Sequence, residues 1–280
     1  MNLEISRRQA LVSGSVVSIA AVSLGAVAVS TGSDEQEKTT ETATETYAAD
    51  EISVTADVGS VSITGGDREM VEFESTKRGT ESALDRTILR RNESGGSLEV
   101  TVDYERTLLD RLVSNSRPDV EIDLAVPAKL TNVALETTND GVRARDIETD
   151  LTVSTMNGNI DIEDVSNVDA LSSTNGGIDA DVEALNDGAT VETTNGDVTI
   201  GTDALEGDTT IETTNGDIEF GLGSSADATL SASTTNGDLS ITTDRAEVLT
   251  DTDDELEAVV DDGTHRVEFK TTNGDVTIGD

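Results

Sequence analysis

Four aspartates, Asp197, Asp217, Asp238 and Asp275, recur behind Asn-Gly pairs and are the residues most regularly placed for chemistry. In stacked repeats they would form a row close enough to repel one another. Such a row of carboxylate and amide oxygens is a donor set for Ca²⁺ or, in brine, Na⁺ or K⁺. Aspartate also closes turns by bonding local backbone, and the sequence alone leaves both readings open. The nine-residue Gly-Asp pattern of calcium-binding toxin repeats is absent. His265 is the only histidine, so a histidine-rich metal cluster is excluded and a Ser-His-Asp site would rest on it alone. With Arg266 beside it in a strand-like run, a surface position is expected. There is no cysteine, hence no thiolate ligand, thiol nucleophile or disulfide. Neither a P-loop nor a Rossmann fingerprint is present. Two Tyr and three Phe are too few for the stacking platforms of single-stranded nucleic-acid sites. Among 58 acidic residues, close carboxylate pairs arise by chance, so proximity alone does not signal glycoside chemistry. No catalytic residue and no cofactor other than these cations is expected.

The elements that must position these residues follow from a repeat. Seven turns align on Asn139, Asn157, Asn175, Asn195, Asn215, Asn236 and Asn273, spaced by 18, 18, 20, 20, 21 and 37 residues. The clearest copy reads Thr193-Thr194-Asn195-Gly196-Asp197-Val198-Thr199-Ile200. The last gap is either two units with the middle turn lost or one unit carrying the acidic insertion 251–262. Alternation predicts strands on both sides of each turn, with Val191, Thr193, Val198 and Ile200 on one face and Glu192, Asp197 and Thr199 on the other. Two architectures satisfy this: a set of hairpins, in which Thr213 opposes Ile218, or a parallel stack, in which Asn195 sits beside Asn215 and Val198 beside Ile218. The near-constant period across linkers of different sequence favours the stack. The expected fold is all-β, a right-handed parallel β-solenoid of about seven coils over residues 129–280, capped by a β region at 50–128. Within that cap Leu108, Leu109 and Leu112 are spaced like a short helix.

The chain is strongly acidic, with a formal net charge of -40, 34% hydrophobic residues and very few lysines. Regular alternation of Val and Ile argues against the disorder that such charge otherwise implies. The charge disfavours nucleic acid and anionic membrane surfaces and attracts cations. Acidic, lysine-poor surfaces of this kind resemble those of proteins from salt-loving archaea.

Residues 1–30 read as an export signal, expected to form a signal helix. Ser6-Arg7-Arg8 with Leu11 resembles a twin-arginine motif, with Ala10 in place of the usual Phe, and no charge follows until Asp34. The mildly apolar stretch 11–29 suits a signal segment, Ala26-Val27-Ala28 offers a cleavage site, and retention as an N-terminal anchor is the alternative. Residues 31–49, rich in Thr and Glu, read as a disordered linker. Asn92-Glu93-Ser94 is the single N-glycosylation sequon.

Together, Gly59-Ser60-Val61-Ser62-Ile63-Thr64-Gly65-Gly66-Asp67-Arg68, Val126-Pro127 and the train of Asn-Gly-Asp turns resemble a widespread prokaryotic "putative adhesin" domain family over about residues 50–280. The resemblance implies a solenoid-like exported or envelope domain and fixes no ligand and no functional residue. The resulting expectation is a non-enzymatic cell-surface or extracellular protein with a structural or binding role, its partner a cell-surface glycan or protein. An envelope-stress or regulatory surface protein is one alternative. A polysaccharide-acting β-helix enzyme is another, disfavoured by the scarcity of Arg and Lys in the repeats.

Overall fold

The structure is a computed structural model and describes residues 25–27, 38–105 and 117–280. The chain enters through β1 (Gly25–Val27) and β2 (Thr39–Tyr47). A first coil, β3 (Glu51–Ala56) and β4 (Ser60–Gly66), leads to β5 (Val71–Gly79) and a one-turn helix α1 (Glu81–Leu84). Then come β6 (Thr87–Ser94), β7 (Ser97–Tyr104) and β8 (Asp119–Pro127). The repeats open with β9 (Asn132–Thr137) and three long strands that bend through a corner, β10 (Val142–Thr155), β11 (Ile160–Asn175) and β12 (Ile178–Asn195). They continue with β13 (Val198–Leu205), β14 (Thr209–Asn215), β15 (Ile218–Leu222), β16 (Ala228–Ser233) and β17 (Leu239–Ile241). The last four are β18 (Ala246–Asp251), β19 (Glu255–Val260), β20 (His265–Lys270) and β21 (Val276–Gly279).

Most pairings are parallel and form two rows. Strands that precede the turns run β7–β3–β9–β10–β11–β12–β14–β20–β16. Strands that follow them run β8–β4–β10–β11–β12–β13–β15–β21–β17. Asn195 pairs with Asn215 and Val198 with Ile218, as stacking requires. The strands flanking Asn215 pair with neighbouring coils and not with each other, which rules out a hairpin there. The alternation does what it predicts: Val191, Thr193, Val198 and Ile200 are buried while Glu192, Asp197 and Thr199 face out. The uneven spacing has a local cause. Between β11 and β12 the coil loses one residue at the corner after Ile162 and gains three around 186–189, turning a period of 18 into 20.

The order of coils is not the order of the chain. The C-terminal pair β20 and β21 lies between β14/β15 on one side and β16/β17 on the other. The 37-residue gap is therefore neither a lost turn nor a simple insertion: the chain leaves one position vacant, builds the coil beyond it, and returns to fill the slot. The N-terminal coil is enclosed in the same way, with β3 and β4 between β7/β8 and β9/β10. Both rows therefore run through residue 128, and the segment expected as a separate cap supplies two full coils of the stack.

Antiparallel strands finish each end: β6 on β7, β5 on β8 and β2 on β5 at one end, and β19 on β16 and β18 on β19 at the other. The core is one continuous cluster of Val, Ile, Leu and Ala with Phe73, Phe220 and Phe269. Each fully buried aliphatic side chain stabilises by roughly 1.5–3 kcal/mol.

The Thr/Glu-rich stretch expected as a linker is ordered from Thr39 to Tyr47, where β2 pairs residue for residue with β5. Its threonines are β-branched and fit a sheet. Its acids find cations across the strands, Glu41 with Lys77 at 2.7 Å and Glu45 with Arg91 at 2.6 Å. Arg91 also lies over the Phe73 ring, closing that end of the core. The twin-arginine motif and most of the signal segment lie outside the described residues, as does the helix expected at 108–112. The helix that is described, α1, starts at Thr80, whose hydroxyl accepts from the Ala83 N–H.

Candidate functional site

The turn edge is built from four residue types with four separate tasks. The first Thr is buried, and its hydroxyl donates to the carbonyl of the glycine one coil back: Thr193 to Gly176 at 2.9 Å, Thr213 to Gly196 at 3.0 Å, Thr271 to Gly216 at 3.0 Å and Thr234 to Gly274 at 3.0 Å. Asn forms a ladder in which each side-chain amide donates to the amide oxygen of the preceding rung. It runs from Asn157 through Asn175, Asn195, Asn215 and Asn273 to Asn236, every step between 2.8 and 3.0 Å. Glycine is required because a Cβ on Gly216 would overlap the Gly196 carbonyl, and the same overlap repeats along the row. Asp offers one carboxylate oxygen to the N–H of the next aspartate: Asp197 to Asp217 at 3.0 Å, Asp217 to Asp275 at 2.8 Å and Asp275 to Asp238 at 2.7 Å.

The four predicted aspartates therefore do stand in one exposed row, in the order 197, 217, 275, 238. Backbone amides occupy Oδ1 of the first three. Among the described residues, no group of three or more His, Cys, Asp or Glu side chains converges as a metal shell would. His265 opens β20, partly buried, its backbone N–H donating to the Asp227 carbonyl. The Asp227 carboxylate is held below the usual range by the N–H and then the hydroxyl of Thr264, both at 2.8 Å.

At the ends of β4 and β8, where the coils turn their corner, a cleft of about 640 Å³ opens. Gly65, Arg68, Lys129, Asp146, Glu148 and Asp164 are among its walls. Asp146 and Asp164 occupy equivalent corner positions of successive coils and both have left-handed backbone, φ 56° and 54°. Aspartate tolerates this conformation better than most residues. Lys129 meets Glu148 at 3.4 Å and Arg68 meets Glu72 at 3.1 Å, while Arg68 Nε is buried with no acceptor. The cleft is thus lined by a guanidinium, an ammonium and several carboxylates, a set that hydrogen-bonds hydroxyl groups. The motif residues Gly65, Gly66, Asp67, Arg68 and Pro127 all line it, a convergence that spacing along the chain did not disclose.

On the outer face of the second row, Glu74, Asp123, Ser62, Arg143 and Asp161 are lateral neighbours. Desolvation first, and the Glu121 and Glu74 charges second, push the Asp123 carboxyl up. Arg143 pairs with Asp161 at 3.0 Å. Sequence reasoning also missed Arg245. Its guanidinium donates to the carbonyls of Leu222, Gly223 and Ala226 and to the carboxylates of Asp261 and Asp280, pinning the chain end to the loop after β15.

The chain belongs to the family described as Toastrack DUF4097, which it matches over residues 27–279. Among solved structures it is similar to a putative adhesin from Bacteroides fragilis, at 13% identity over 85% of this chain and 96% of that one, with a TM-score of 0.43. A putative lipid binding protein from Parabacteroides distasonis is 12% identical over 85% and 96% of the two chains, TM-score 0.38. A putative cell adhesion protein from Clostridium sporogenes is 12% identical over 84% and 98%, TM-score 0.31. No curated protein matches the chain.

Proposed function

We propose that this chain is an exported, non-enzymatic surface module, a right-handed β-solenoid that presents a rigid binding face to a cell-surface glycan or protein. The observation that carries this reading is the unbroken ladder from Asn157 to Asn236. Each rung fixes the lateral register of the next coil, so the outward Thr, Ser and acidic side chains stand at a constant repeat of about 4.8 Å. A surface so ordered meets a repetitive or extended partner at little further cost in conformational entropy. The corner cleft, with its mixture of guanidinium and carboxylate groups, suits the hydroxyls of a glycan. Export by the twin-arginine route, with Arg7-Arg8 as its signal, would deliver the domain already folded.

Beads coated with the purified chain should be retained on envelopes of the producing cells, saturably and in competition with soluble protein. Absence of retention would sink the binding role. Release of sugar fragments from an envelope glycan would replace it with an enzyme. Changing Arg7 and Arg8 to Lys should leave the protein inside the cell, and unchanged export would remove the signal assignment.

A further inference from the structure

We propose that the C-terminal end of the stack is a docking site for an extended, positively charged segment of a partner protein that carries apolar side chains at alternate positions. The two ends of the molecule differ in one respect. At the N-terminal end β2 and β5 cover the second row, and Arg91 lies over Phe73. At the C-terminal end the last layer of the core is only partly covered. Leu239 and Ile241 on β17 pair with the buried Val276 and Ile278, and Ala246 and Val248 on β18 pair with the buried Val260 and Ala258. Their register therefore turns all four side chains toward the core. Even so, Leu239, Ile241 and Ala246 are only partly buried, and Val248 is 45% exposed. Leu249, thrown out of the ladder by a bulge between Val248 and Thr250, is 59% exposed.

The backbone at this end is open as well. Among the described residues β17 pairs only with β21, so its far edge offers unpaired N–H and C=O groups, the template on which an extended peptide adds a strand. The bulge deprives β18 of a regular edge and leaves Val248 and Leu249 as exposed apolar side chains at the same end of the stack. Charge selects the partner. Asp238, Asp244, Glu247, Asp251, Asp253 and Asp254 are exposed along β17, β18 and their flanking turns. The one cation in that stretch, Arg245, is engaged by Asp261 and Asp280. A second copy of the chain would set two such acidic rims against each other, whereas lysines alternating with apolar residues satisfy rim and core together.

The test uses the full chain and a fluorescent peptide, Lys-Val-Lys-Val-Lys-Val-Lys, read by anisotropy in about 0.15 M KCl. Changing Val248 and Leu249 both to Asp removes apolar contact but adds negative charge, so the two causes of binding move in opposite directions. Docking predicts that this variant binds the peptide at least about tenfold more weakly, a loss of about 1.4 kcal/mol. A double change to Thr, which keeps strand propensity, should also weaken it, with circular dichroism confirming that each variant folds. A Lys-Ser peptide of the same length should bind far less well than the Lys-Val peptide. Equal binding of the two peptides, or tighter binding by the Asp variant, would reduce the interaction to bulk charge and overturn the proposal. Sedimentation showing a dimer that the Asp variant dissolves would assign the end to a second copy and overturn it equally. Failure here leaves the retention assay untouched, since the stack can bind envelopes through its faces without using its end.

Discussion

Asn215 serves two neighbours at once, donating to Asn195 Oδ1 at 2.9 Å and accepting from Asn273 at 2.8 Å. Replacing it with Ala removes both bonds, and the stability measured by chemical denaturation should fall by about 1–2 kcal/mol. Gly216→Ala should cost more, about 3 kcal/mol, because two coils must separate to admit a methyl group against the Gly196 carbonyl. A Thr213→Val change keeps shape and loses only the buried hydroxyl bond, so it separates packing from hydrogen bonding at the same turn. Asp123 supplies a pH signature. Its carboxyl is raised in the folded state, so its contribution is fully present below the ordinary carboxylate range and is lost as pH rises through the raised value. Asp123→Asn should therefore raise the melting temperature at neutral pH, by roughly 1–2 °C, with the gain disappearing in acid. The alternation around each turn, and hence which residues are buried, was legible in the sequence because the period of a strand is local. The separate tasks of Thr, Asn, Gly and Asp were not, because each partner lies in a different coil, usually 17 to 21 residues away.

Among the elements, β20 and β21 carry the largest consequence. Removing residues 264–280 would empty the slot between β14/β15 and β16/β17 and strip the covering from both, exposing four strand edges and the buried faces of Ile211, Phe220 and Leu230. Such a truncation should unfold non-cooperatively or aggregate, followed by calorimetry and light scattering; a single sharp transition near that of the whole chain would contradict the interleaved order. Arg245→Ala is the milder version, freeing Asp280, whose carboxyl is held low by the Thr243 hydroxyl and then by Arg245 itself. The repeat spacing predicted stacking correctly. It could not predict sequence of assembly, since the motif around Asn273 is identical in kind to the others and nothing in it names its neighbours. The Thr/Glu run at β2 misled for a different reason: composition resembles a spacer, but strand identity there depends on Lys77 and Arg91, which are distant in the chain.

Taken as a whole, the molecule is electrically lopsided. Residues 151–280 hold thirty acidic side chains against three basic ones, while Arg and Lys gather in the coils nearer the N-terminus. Repulsion among exposed carboxylates is screened as ionic strength rises, so the melting temperature should climb steeply between dilute buffer and molar KCl. If millimolar Ca²⁺ adds a further rise above saturating KCl, and changing Asp197, Asp217 and Asp238 to Asn abolishes it, the aspartate row is a cation site. No added effect, or one that survives the triple change, confines those residues to their backbone bonds. The enclosed position of β20 and β21 also orders events in time. Until residues 264–280 have left the ribosome, the nascent stack has two facing edges with nothing between them, and any other extended chain of matching register can enter. Emergence of β20 and β21 is thus the step that closes the stack, and a chaperone that shielded those edges until then would be protecting a gap that the protein itself fills after building the coil beyond it.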